Sequence, residues 1–411
     1  MNYELFIAKR IIAAKHYKSS ISSPIIKIAI AAIALGIIIM MISIATGVGL
    51  QNKIKEKISG FNGHVQIASY EDNNSQITIN PLDLKQDFYP NFKDVDGVKN
   101  VQTYATKAGI IRTKTDFEGI ILKGISNDYD WSFFKSYLIE GKLLKINSET
   151  SNQVLISKLT SDRLGFKVGD TFNTFFIKND PTKAPNVRQF TISGIYSSGF
   201  KEFDENYIIG DIKLIQRLNK WNKNQVGGFE VLLDDFKNLN KKGDEIYASI
   251  GSTLNAQTIG EKYPAIFEWL DLFDTNIIVI LGIMILIAGI NMITALLVLI
   301  LERTQMIGIL KALGNSNWSI RKIFLYNATY LIVLGLFWGN IIGIGILLIQ
   351  KYFGVIKLNP ETYYVSQAPI YLDAGYIILL NMGTLVLCLL MLLIPSYIVS
   401  KISPVKAIKF D

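Results

Sequence analysis

The sequence predicts a membrane protein of four transmembrane α-helices, with a large α+β domain inserted between helices 1 and 2. Three observations carry this. Half of the 411 residues are hydrophobic and only 18% are charged, giving a mean hydropathy of +0.30, unusual for a soluble globular chain. The apolar excess is concentrated in residues 25–49, 276–301, 323–350 and 376–400. At about 1.5 Å rise per residue, each run can cross a hydrocarbon core of roughly 30 Å. Between the first two runs, residues 50–275 have the composition of an ordinary folded domain.

Residues 1–24 form an amphipathic leader with Lys9, Arg10, Lys15 and Lys18, and Lys27 follows at the start of the first run. A basic leader before an apolar stretch is also the mark of a secretory signal. Here the run is too long, no small-residue cleavage site follows it, and it continues into a charged helix at 51–59. It is a retained anchor.

The domain at 50–275 carries strand patterns at 64–67, 101–113, 117–125, 171–177, 190–195, 206–209 and 229–233, alternating or rich in Ile, Val, Tyr and Phe. Helical patterns cover 157–164, 212–218, 239–250 and 263–273, and Gly169-Asp170 marks a turn between the first of these and a strand. The segment at about 131–224 reads as an inserted second lobe. The helix after Glu261, with only Pro264 near its start, should run on into the second span as one rod.

Orientation follows from the basic residues, which cytoplasmic loops retain. The leader, the 302–322 loop with Arg303, Lys311, Arg321 and Lys322, and the 401–411 tail with Lys401, Lys406 and Lys409 should be cytoplasmic. The 351–375 loop sets Lys351 and Lys357 against Glu361 and Asp373 and belongs outside. Both termini are then inside, and the net charge of +8 reads as topology, with no nucleic-acid partner.

Catalytic patterns are sparse. The single cysteine, Cys388, lies inside an apolar span, and the two histidines, His16 and His64, are separated by the first span, so no metal site is expected. No phosphate loop, H-E-x-x-H or G-x-S-x-G occurs, so the chain should not itself hydrolyse a nucleotide, or a peptide by those routes. The spans are almost free of charge, which argues against a proton- or sodium-driven carrier. Asn291, Asn340 and Asn381 are polar groups at depth, expected to hydrogen-bond between helices. Gly335, Gly339 and Gly343 recur every four residues and form a packing stripe on the third span.

The 302–322 loop is different, being patterned as a short amphipathic helix with a defined stop. Ile307, Leu310 and Leu313 share an apolar side with Met306 nearby, Gly314 fits a C-terminal cap, and Ser316 or Asn317 can start the next helix. An interfacial helix on lipid headgroups is the plain reading. A docking knob for another protein is the sharper one.

The run from Glu302-Arg303 through Met306, Gly308, Lys311-Ala312-Leu313 to Gly314 resembles the coupling signature of the permease subunits of MacB-like, or type VII, ABC transporters. Within that group the chain is most similar to the lipoprotein-releasing (Lol) permeases. Further matches are Phe6-Ile-Ala-Lys-Arg10, Gly47-Val-Gly-Leu, Ile58 through His64, and Pro395 through Lys409. Met306 stands where the family more often carries Glu.

The resemblance implies a permease with a large periplasmic α+β domain in the bacterial inner membrane. It would work as a homodimer or with a related second permease, together with a cytoplasmic ABC ATPase dimer. ATP and Mg would reside on that partner, with no cofactor in this chain. The coupling residues would be Glu302, Arg303, Met306, Gly308, Lys311, Ala312, Leu313 and Gly314. Ile37, Met40, Met41 and Ile44 on the first span and Ile280, Met284, Ile287 and Ile290 on the second would face the lipid or substrate cavity. The long, proline-bearing connection from Lys178 to Arg188 is otherwise a polar hairpin tip. Its position resembles the hook that holds a periplasmic lipoprotein chaperone, which would assign that contact to Asn179, Asp180, Pro181, Thr182, Lys183, Ala184, Pro185 and Asn186. The implied action is ATP-driven extraction of lipoproteins from the outer leaflet, a mechanotransmission stroke. The alternatives are a permease exporting a small molecule or peptide, and a non-transporting signalling permease that activates a cell-wall hydrolase.

Overall fold

The computed structural model describes residues 3–13, 22–72, 75–113, 116–178 and 184–402. The chain divides into a helical unit, from Met1–Leu50, Asp271–Ile356 and Ala368–Asp411, and a mixed α/β unit, from Gln51–Leu270 with Lys357–Gln367.

Among the described residues, four helices are long and apolar enough to cross a membrane: Pro24–Asn62, Pro264–Glu302, Asn317–Phe353 and Ala374–Lys401, the last including a break near Tyr397. The rod expected after Glu261 starts at Pro264, because a separate turn, Ile259–Lys262, is closed by a capping box between Thr258 and Glu261. Ser316 starts the third helix by accepting from Ser319 N, and Gly354 stops it at φ +58°. Asp373 caps the fourth through Tyr376 N.

Packing in the helical unit is set by small residues. A Cβ on Gly335 would lie 2.7 Å from Ile33 Cβ, and one on Gly339 2.9 Å from Ala34 O, so the glycine stripe lies directly against the first span. The third and fourth spans are joined by a reciprocal amide pair. Asn340 Nδ2 donates to Asn381 Oδ1 at 2.6 Å, and Asn381 Nδ2 donates back at 3.0 Å. Towards the other end, Arg321 donates to Ser396 Oγ and to Leu393 O, both at 3.1 Å.

The mixed unit is built from β1 (Val65–Ser69), β2 (Leu82–Asp83), β3 (Val98–Arg112), β4 (Phe117–Ile125), β5 (Leu138–Gly141), β6 (Gln153–Ser157), β7 (Thr171–Phe176), β8 (Asn186–Tyr196), β9 (Tyr207–Asp211), β10 (Gln225–Val226), β11 (Gly228–Leu233) and β12 (Leu254–Thr258). β2 and β10 make a small ladder of their own. The other ten form one sheet in the order β12-β1-β11-β3-β4-β9-β6-β8-β5, and β7 pairs with both β3 and β8. The pairings therefore close a ring: β3, β4, β9, β6, β8, β7 and back to β3. The segment at 131–224, expected as a second lobe, contributes β5 to β9 to this same sheet. Alternation reveals that a strand exists; its partner is fixed by tertiary packing that the pattern does not encode.

Local chemistry explains the pieces. β7 turns Phe172, Thr174 and Phe176 inward and Thr171 and Asn173 outward, as a half-buried strand requires. Asp211 caps the Ile212–Asn219 helix by accepting from Lys213 N, and that helix crosses so close to β4 that a Cβ on Gly124 would meet Ile212 Cα at 2.7 Å. Phe61 stacks on Phe203 with centroids 4.2 Å apart.

The sheet also buries an ion pair. Lys123 Nζ and Glu230 Oε1 are 2.7 Å apart, with 2% and 0% of their side chains exposed. Glu230 further accepts from Gln102 Nε2 at 2.9 Å and Gln66 Nε2 at 3.3 Å, and Lys123 donates to Phe61 O. Burial drives the Lys123 pKa down, and Glu230 opposes it.

His64 Nδ1 accepts from Leu233 N at 3.2 Å, which requires that nitrogen to be unprotonated. Burial, aided by Lys99, holds the imidazole at about 4, below its usual 6.5. Between those values the unfolded chain takes up a proton that the folded chain refuses. Stability should therefore fall as the pH drops from about 6.5 to about 4, by up to about 3 kcal/mol. Melting temperature followed against pH should show a flatter acid limb in His64→Gln; an identical limb would place the acid sensitivity elsewhere.

Candidate functional site

The loop after the second span folds as a helix, Thr304–Ala312, whose end is set by Gly314 at φ +88° with its N–H on Lys311 O at 3.0 Å. Asn315 N reaches back to Leu310 O at 3.1 Å. Ile307 and Leu310 are buried in the hydrophobic core of the helical unit, with Met306 packed against it.

Leu313 does not share that side. It is 76% exposed, because the helix ends at Ala312 and the chain turns away there. Gly308, expected at a partner contact, is buried within the chain. Lys311 donates to Ile402 O at 2.7 Å and Ser400 O at 3.2 Å, tying the loop to the end of the fourth helix. Burial lowers its pKa. Glu302, Ala312 and Gly314 are exposed, and Arg303 is half-buried.

What the helix shows to the outside is therefore a different set: Gln305, Ile309 and Leu313, spaced by four, with Trp318 beyond. Ile309 is 50% exposed and Trp318 51%. The spacing was visible in the sequence, but both sides of this short helix are apolar and only packing decides which is covered. The leader helix, Tyr3–Ala13, braces the loop. Asn315 Nδ2 donates to Tyr3 Oη at 2.9 Å and Ser319 Oγ to Glu4 Oε1 at 3.1 Å. Hydrogen bonding to backbone lowers the Glu4 pKa.

Of the span residues expected at a lipid cavity, Ile37, Met40 and Met41 are instead buried in the chain's own core. Ile280 and Met284 are half-buried, while Ile287 and Ile290 are 42% and 54% exposed. A helix apolar on every side gives no signal of which side packs. An apolar cavity of about 550 Å³ does open between the first, second and fourth spans, lined by Ile44, Val48, Ile277, Leu281, Leu379 and Thr384 among others. Only Ile44 was in the expected set.

The β7–β8 hairpin pairs Thr171 with Thr191 through to Phe176 with Asn186. Of the expected hook, Asn179, Asp180, Pro181, Thr182 and Lys183 lie outside the described residues. Ala184 and Pro185 are exposed and Asn186 is half-buried at the base.

The model of the MacB-like periplasmic core domain matches residues 28–248, more than half of the chain. The chain belongs to the MacB-like ABC transporter permeases. The FtsX-like permease C-terminal model matches residues 278–404 of the same permease.

This MacB-like permease is 24% identical over 429 residues to the lipoprotein-releasing system transmembrane protein LolC of Neisseria meningitidis serogroup B, covering 99% of each chain. It is 20% identical to the corresponding LolE protein of Haemophilus influenzae, again over 99% of each. Among solved structures it matches the periplasmic region of MacB from Actinobacillus actinomycetemcomitans, at 15% identity and a TM-score of 0.33, over 49% of this chain and 91% of that one.

Proposed function

We propose that this chain is the permease of a lipoprotein-releasing ABC transporter in the inner membrane, with both termini cytoplasmic and the mixed unit in the periplasm. The observation that carries the reading is the end-to-end correspondence with lipoprotein-releasing transmembrane proteins. A cytoplasmic ATPase dimer seats the Thr304–Ala312 helix, with Ile309 and Leu313 as its apolar contact. Nucleotide-driven closure there moves the spans. A lipoprotein enters from the outer leaflet and passes to a periplasmic chaperone. Similarity to both LolC- and LolE-named proteins fits a dimer of two copies or of two related permeases.

Depletion of the protein followed by membrane fractionation tests this. Lipoproteins destined for the outer membrane should accumulate in the inner one, and an unchanged distribution would sink the reading. The hairpin tip is the chaperone contact in the same scheme. Deleting residues 180–186 should abolish chaperone pull-down while costing the flanking strands only their terminal Phe176–Asn186 pair; full retention of the chaperone would refute that assignment.

A further inference from the structure

The mixed unit contains a polar cavity of about 270 Å³ that the transport reading does not use. It sits against the face of β1 and β11, where the first span's helix ends at Asn62 and the second's begins after Lys262 and Tyr263. At roughly 30 Å³ per water, it holds the volume of about nine waters.

Its carboxylates are already occupied. Glu230 is bound by Lys123, Gln66 and Gln102. Asp72 accepts from Ile79 N at 3.2 Å and from Asn80 N at 3.0 Å and Asn80 Nδ2 at 3.2 Å. The donors are in surplus. Lys262 Nζ donates to Gln66 Oε1, which leaves its other hydrogens without an acceptor among the described residues. Tyr104 and Tyr207 line the cavity, and their hydroxyls donate to no described residue. Tyr263 Oη accepts from Asn62 Nδ2 at 3.2 Å and keeps its own proton to give. Burial, with Lys123 adding and Glu230 opposing, holds Lys262 at about 8, so it stays charged near neutral pH and a bound anion would stabilise that charge.

We propose that this cavity binds a phosphate group, held by Lys262 with the hydroxyls of Tyr104, Tyr207 and Tyr263. Four donor groups line one space, and a tetrahedral oxyanion presents acceptors on every side of it, whereas the acceptor sites of a carboxylate lie in one plane. The phosphate has two possible sources, a free ion and a lipid headgroup diester. Because Asn62 and Lys262 stand at the two helix junctions, an occupant would brace both.

The test is calorimetric binding to the purified full-length protein in detergent at fixed ionic strength, with inorganic phosphate and with glycerophosphoglycerol as separate probes. Saturable binding of at least one probe is expected, weakened tenfold or more in Lys262→Gln and severalfold in Tyr207→Phe. Binding of inorganic phosphate alone assigns the free ion; binding of the diester alone assigns a headgroup; binding of both supports the shared chemistry. No saturable binding of either, or unchanged affinity in both variants, overturns the proposal. Should Lys262→Gln fail to fold, Tyr207→Phe decides. The measurement involves no transport, so its failure leaves the lipoprotein reading standing, and the reverse.

Discussion

A permease carrying Leu313→Asp is expected to lose its ATPase on purification, with affinity reduced on the order of 100-fold. Leu313 is 76% exposed, so within the chain the substitution disturbs little. Covered by a partner, the same side chain would contribute about 1.5–3 kcal/mol, and a carboxylate left in its place adds a desolvation cost. The measurement is co-purification of the ATPase together with the melting temperature of the permease. Loss of the ATPase at an unchanged melting temperature is the expected pair of results. Full retention would remove Leu313 from the contact and the proposed seat of the helix with it. Lys311 is the poorer probe, because its ammonium holds the Ser400 and Ile402 carbonyls and a change there mixes docking with folding.

The second large effect concerns the ion pair in the sheet. Glu230→Ala is expected to destabilise the protein by about 3–5 kcal/mol, since it strands the buried Lys123 ammonium and removes the acceptor of Gln66 and Gln102. Replacing both members, Lys123→Met with Glu230→Leu, should recover much of the loss, because no charge is then left without a partner. Thermal denaturation of the full chain compares the three proteins. If the double variant is no more stable than the single one, the penalty lies in lost packing and not in the orphaned charge.

The spans, the strands at 117–125 and 171–176 and the caps at Gly314 and Ser316 were legible in the sequence because each rests on a local rule. Long apolar runs, two-residue alternation and a left-handed glycine need no knowledge of the rest of the fold. Leu254–Thr258 escaped notice because its sequence, LNAQT, is polar for a strand; it is held by pairing with β1 at the sheet edge. The orientation of side chains on uniformly apolar helices was equally hidden. Met40 and Ile287 look alike in sequence, yet one is buried in the core and the other is 42% exposed. At the Thr304–Ala312 helix the pattern located the element and assigned Leu313 to the wrong side, because the turn that redirects it begins within that residue's own cap.

The third and fourth spans are fastened at two levels, by Arg321 to Ser396 and Leu393 and by Asn340 to Asn381. Positions 321 and 340 are about 28 Å apart along a helix. One bolt would permit pivoting; two at that distance forbid both splaying and sliding. A slip of a single turn would strand two amides among apolar side chains and part the guanidinium from both of its acceptors. These two helices are therefore fastened as one beam, which the first helix meets along the close-packed glycine row of the third, so a bend taken up by the first and second helices costs neither fastening.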